Sequence, residues 1–177
     1  FHESAEIIRQ AWSDAPVNFH GEFYSYDNVN ILPKPVQRPH PPIWVGATHS
    51  EETFRWAGEM DYDLMTVPFV HPTTDALHEL VKVYRRGLAA RGHDFVGREV
   101  LGKFHIYVSD SFERGMREAA PFMKNYTDLH QAADPERRLT EHDIGSDMAR
   151  GFIIVGDPER CSDTIRRWHE EGGITTF

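Results

Sequence analysis

Strand-like and helix-like segments alternate along most of this 177-residue chain, too few times to close a barrel. The apolar run Ile43–Val45 precedes a helix with Phe54, Ala57 and Met60 on one face, which Ser50 can cap with Glu51 and Glu52 in its first turn. Leu64–Val67 reads as a buried strand. Thr74–Arg91 reads as a helix through Leu77, Leu80, Val81, Tyr84 and Leu88, ended by Gly92. Leu101–Ser109 follows as a strand with Phe104, Ile106 and Val108 on one face, and Phe112–Leu129 as a helix. Phe152–Val155 is extended, Asp157-Pro158 starts another helix, and Ile174 opens a last strand. This order predicts a parallel α/β architecture. It supplies about four βα units where a (β/α)₈ barrel needs eight. The expectation is one domain over 1–177, a partial barrel with open sheet edges.

Three stretches stand outside that rhythm. Residues 3–13 have helical spacing through Ile7, Ile8, Ala11 and Trp12, whereas Asp14–Asn30 reads as loop with scattered aromatics. Residues 130–150 are polar and weakly periodic, and read as a loop or mobile insertion, a candidate lid. The chain opens without methionine or a leader pattern and stops mid-strand, as if cut from something longer.

The segment with most chemical content is the approach to the first parallel strand. Pro33, Pro35, Pro39, Pro41 and Pro42 stiffen an extended entry into Ile43–Val45. The strand runs straight into Gly46-Ala47-Thr48-His49-Ser50 and then a helix. A strand, a loop of small and hydroxyl residues and a helix start converge backbone N–H groups and the positive end of the helix dipole on one spot, which suits an anion. Glu51 and Glu52 would repel a dianion if they turned inward, and Arg55 stands one turn on to compensate. The loop itself holds no Lys or Arg, so binding would rest on N–H groups and hydroxyls.

Composition narrows the partners. A net charge of −9 argues against nucleic acid and anionic membrane surfaces. No apolar run approaches the roughly 20 residues of a membrane span. The single cysteine, Cys161, permits no internal disulfide and fits a reducing cytoplasm; its place on an inner helix face reads as a structural thiol. The eleven histidines are dispersed, and neither His2-Glu3 nor His169-Glu170 has the second histidine of a zinc helix, so no metal site is expected. The four tryptophans, Trp12, Trp44, Trp56 and Trp168, occupy expected core positions, with Trp44 close enough to the loop to meet a ligand.

Four segments, in order, resemble the C-terminal half of luciferase-like flavin-dependent monooxygenases. They are Phe1-His2-Glu3 with Glu6-Ile7-Ile8 and Ala11-Trp12; Phe19-His20-Gly21-Glu22-Phe23-Tyr24; Pro33-Lys34-Pro35-Val36-Gln37 with Pro39–Val45; and Val155-Gly156-Asp157-Pro158-Glu159 with Gly172-Gly173. The resemblance implies a TIM-barrel type fold and reduced FMN with O₂ acting on a small organic substrate. It implies F420 instead in a sister branch and a flavin reductase as possible partner. Exposed apolar sheet edges favour self-association, and with it the alternative of a non-catalytic or incomplete half-barrel that pairs with itself or another half. The resemblance places the flavin phosphate at the loop, on Gly46, Ala47, Thr48 and Ser50, and assigns no role to His49. The proton-transfer and ring-holding residues of the family belong mostly to its first four βα units, so no catalytic residue is named here.

Overall fold

The computed structural model describes residues 1–131 and 141–177, which fall into two compact units, Phe1–Ile43 and Trp44–Phe177.

In the first unit, helix α1 (His2–Trp12) is followed by an antiparallel hairpin of β1 (Val17–His20) and β2 (Ser25–Val29). This corrects the expected loop over 14–30. The Glu3 carboxylate closes the hairpin turn by accepting the backbone N–H groups of Glu22 (2.7 Å), Phe23 (3.1 Å) and Tyr24 (3.2 Å). These bonds draw the Glu3 carboxyl below the usual carboxylate range, against the desolvation that opposes them. Further on, Lys34 donates to the Ala11 carbonyl at 3.0 Å and Arg38 reaches Asp14 at 3.2 Å, tying the proline run to the end of α1.

The second unit carries the parallel strands. β3 (Trp44–Gly46), β4 (Asp63–Thr66) and β5 (Val100–Gly102) lie side by side in that order, with Val45 opposite Leu64 and Leu64 opposite Val100. A parallel bridge from Leu101 to Thr176 sets the chain end beside β5, in the fourth position. The strands of this unit form no closed barrel among the described residues, and β3 is an edge. Trp44 is 37% exposed there, which corrects its expected core position, and Met65 is 40% exposed beside it.

Two helices cover the sheet. Ser50 caps α2 (Glu51–Glu59) by accepting the Thr53 N–H at 3.2 Å, and Thr73 caps α3 (Thr74–Ala90) through the Ala76 N–H. Phe54, Ala57, Leu77, Val81, Tyr84 and Leu88 bury the interface. The helices cross with backbones nearly touching at Gly58 and Gly87. A Cβ at Gly58 would strike the Tyr84 carbonyl, and one at Gly87 the Arg55 carbonyl. The buried Tyr84 hydroxyl donates to the Tyr62 carbonyl at 2.9 Å, fixing α3 to the turn before β4.

The expected strand 101–109 is two strands. After β5 the chain changes partners: Lys103 still donates to Thr66 O, but His105 O accepts from Ile154, and β6 (Ile106–Val108) pairs in parallel with β7 (Ile154–Gly156). Helix α4 (Phe112–Gln131) follows β6. Of the expected loop 130–150, residues 141–150 form helix α5 (Glu141–Arg150), whose Ile144 and Met148 are buried against Ala119, Ile153 and Val155; residues 132–140 lie outside the described ones. Helix α6 (Pro158–Glu170) starts as expected, with Asp157 accepting the Arg160 N–H. It buries Cys161 and Trp168, and burial pushes the Cys161 thiol up, as suits a structural thiol. The Trp168 indole donates to Gly151 O at 2.8 Å between the rings of Phe104 and Phe152.

Candidate functional site

Parallel strands point one end of every strand at the same side, and in barrels that C-terminal side carries the chemistry. On this side β3 ends at Gly46 and β4 at Thr66. The sequence-predicted loop lies there, but its residues are not equivalent. Gly46 is exposed, and among the described residues a Cβ on it would meet only Met65 Cε, at 3.7 Å, an ordinary contact. Ala47 is buried and its N–H is spent on the Met65 carbonyl at 2.9 Å, extending the ladder one residue past the strand. Thr48 is exposed. Ser50 uses an oxygen lone pair on the Thr53 N–H and keeps its own hydroxyl hydrogen to donate.

The backbone supplies more donors than the side chains. The N–H groups of Thr48, His49, Ser50, Glu51 and Glu52 have no acceptor among the described residues. These are the orphan donors of a helix start together with the loop before it. Glu51 and Glu52 are exposed, as an N-terminal turn favours.

Two residues not singled out from the sequence close the back of the loop. Thr66 and His71 are both buried, His71 only 4% exposed. His71 follows a 3₁₀ turn, Pro68–Val70, and its backbone N–H is anchored on Pro68 O at 3.0 Å. Its Nε2 lies 3.5 Å from Thr66 Oγ1, and its ring meets that of His49 edge to face, 5.3 Å between centroids. Burial, with the nearby His49 charge adding to it, pushes His71 down to about 4, so it stays neutral near pH 7. A 22-residue separation with no helical or strand period hides this pair from pattern reading; a buried histidine just past a strand end was the available signal.

The sequence profile of the luciferase-like monooxygenases matches residues 1–176. The chain belongs to this family. An uncharacterized protein of Sinorhizobium fredii is 37% identical over 98% of this chain and 51% of its own length. The F420-dependent glucose-6-phosphate dehydrogenase of Nakamurella multipartita is 24% identical over 96% of the chain and 50% of its own length. The oxygenating constituent of 3,6-diketocamphane monooxygenase from Pseudomonas putida, solved with FMN, superposes with a TM-score of 0.68 at 18% identity, covering 99% of this chain and 54% of that one. The luciferase-like chain thus spans about half the length of such relatives, and its parallel strands match half of their barrel fold. The family includes both FMN-dependent monooxygenases and F420-dependent oxidoreductases. No helix among the described residues is long and apolar enough to cross a membrane.

Proposed function

We propose that this chain is the phosphate-binding half of a flavin-dependent barrel oxidoreductase, one that uses reduced FMN and O₂ to oxidise a small organic substrate. One observation carries the reading. Five consecutive backbone N–H groups, from Thr48 to Glu52, stand without acceptors among the described residues at the C-terminal end of β3, beside the open surface of Gly46. A phosphate dianion satisfies such donors, and the hydroxyls of Thr48 and Ser50 add two more. Gly46 admits close approach, while Ala47 serves by holding the loop root to β4. The loop fits the phosphate group of either FMN or F420.

When bound, the reduced flavin would supply the two electrons that reduce O₂, one oxygen atom going to the substrate and the other leaving as water. The residues here bind its phosphate end, fix its depth at the strand termini and hold water away through the buried Thr66–His71 backing. FMN is favoured by the FMN-bound relative, which is the oxygenating constituent of its monooxygenase and so also supports a separate flavin reductase as partner. F420 is the alternative that the dehydrogenase relative supports. The single Cys161 suits a reducing cytoplasmic setting.

The open edge at β3, with Trp44 exposed on it, and the exposed Met65 on the neighbouring β4 favour a second reading, in which the half-barrel associates with another half, including a second copy. Light scattering on this chain tests the second reading: a dimer supports it, and a monomer that binds no flavin contradicts both.

The direct test is titration of the full-length protein with FMN, F420 and riboflavin, alongside a Thr48→Ala, Ser50→Ala double variant checked for intact folding. Weaker FMN binding with unchanged riboflavin binding is expected. Unchanged FMN affinity removes the loop from the site.

A further inference from the structure

The loop's own sequence holds no Lys or Arg, yet it holds one side chain able to carry a positive charge, His49. That side chain is not left to wander. His49 is exposed, and its ring packs edge to face, at 65° and 5.3 Å, against the ring of His71. His71 is in turn immobilised on three counts. It is 4% exposed, its main chain is tied to Pro68 O, and its Nε2 faces Thr66 Oγ1. Thr66 is itself buried at the end of β4, and its carbonyl accepts the Lys103 N–H at 2.9 Å. A rigid path therefore runs from the sheet through Thr66 and His71 to the exposed ring of His49.

A buried imidazole beside an exposed one is an uneconomical way to fill space. An aliphatic side chain would pack behind the loop without leaving polar nitrogens inside. The pair does have a use if one ring must be presented. His71, kept neutral by burial, offers a firm aromatic surface for the exposed ring to rest on. A ring N–H on His49 would then lie on the same loop as the unpaired backbone donors and the Thr48 and Ser50 hydroxyls.

We propose that His49 is a direct phosphate contact of the flavin and that His71 is the positioning residue that holds its ring in place over the loop. The proposal rests on the reading of Gly46–Ser50 as the phosphate site and adds to it a charge-bearing donor with its support. A ring N–H donated to a phosphate makes a charge-assisted hydrogen bond through the phosphate's own charge, so losing it is expected to cost roughly tenfold in affinity.

The test compares FMN with riboflavin, which has the same ring system and no phosphate, on the full-length protein. His49→Gln, at an exposed position, is expected to weaken FMN roughly tenfold and leave riboflavin unchanged. His71→Ala is expected to weaken FMN similarly, and His71→Phe, which keeps the ring surface, to restore it. The double variant His49→Gln, His71→Ala should bind FMN no worse than either single variant. A Thr48→Val variant serves as the control for the loop. If Thr48→Val lowers the FMN-to-riboflavin preference while His49→Gln does not, the loop holds the phosphate and the His49 proposal is overturned. If neither changes the preference, the loop reading fails with it. If His71→Phe weakens FMN as much as His71→Ala, His71 does not act as a ring support.

Discussion

Replacing His71 by Phe should flatten the acid dependence of stability, and the size of the effect follows from its burial. In the unfolded chain an imidazole titrates near pH 6.5, whereas folding holds His71 at about 4. Between those values the unfolded state binds more protons than the folded one, so stability falls as pH drops and levels off below about pH 4. At about 1.4 kcal/mol per pH unit, the loss from pH 7 to pH 4 is at most about 3 kcal/mol, and about 2 kcal/mol is already gone at pH 5. Phe keeps the aromatic contact with His49 and has no proton to take up. Urea unfolding of both proteins at pH 7, 6 and 5 reads the difference. With m near 2 kcal/mol/M, the wild-type midpoint should fall by about 1 M more than that of His71→Phe between pH 7 and pH 5. Using the difference between the two proteins removes the contributions of histidines that do not touch His71 and of Asp147, whose carboxyl burial pushes up. Parallel midpoint curves would refute the claim that His71 is buried and neutral.

Gly87→Ala should destabilise the protein by about 1–3 kcal/mol, because its Cβ would strike the Arg55 carbonyl and force α2 and α3 apart, and thermal unfolding would show it. Tyr84→Phe removes the donor to the buried Tyr62 carbonyl and should cost about 1–3 kcal/mol in chemical unfolding. Asp157→Ala should cost about 1 kcal/mol through the lost cap on the Arg160 N–H, and Asp157→Asn should recover most of it.

Local chemistry made the frame of this fold legible. Ser50 before Glu51-Glu52, and Asp157 before Pro158, mark helix starts by short-range hydrogen bonding, and both caps are present. The spacing of Leu77, Val81, Tyr84 and Leu88 marks α3 for the same reason. What escaped notice depends on distant partners. The β1–β2 hairpin has a second strand exposed at every position, so it lacks the alternation that signals a strand, and its turn is closed by Glu3 from another element. The break after Gly102 comes from a change of neighbours, from β4 to β7, that no residue in 101–109 announces. Helix α5 buries only two apolar side chains among its described ones, Ile144 and Met148, with the polar Asp147 between them, too few to stand out in a polar stretch. At the candidate site the loop was visible as a run of small residues. The loss of the Ala47 N–H to Met65 and the His71 support came only from the pairing of β3 with β4 and the turn beyond it.

A structure of the full-length protein with FMN bound tests the central claim most directly. The account predicts phosphate oxygens within about 3 Å of backbone nitrogens in the Thr48–Glu52 stretch, at the C-terminal end of β3. A flavin phosphate seated on any other loop, with those N–H groups facing water, would contradict it.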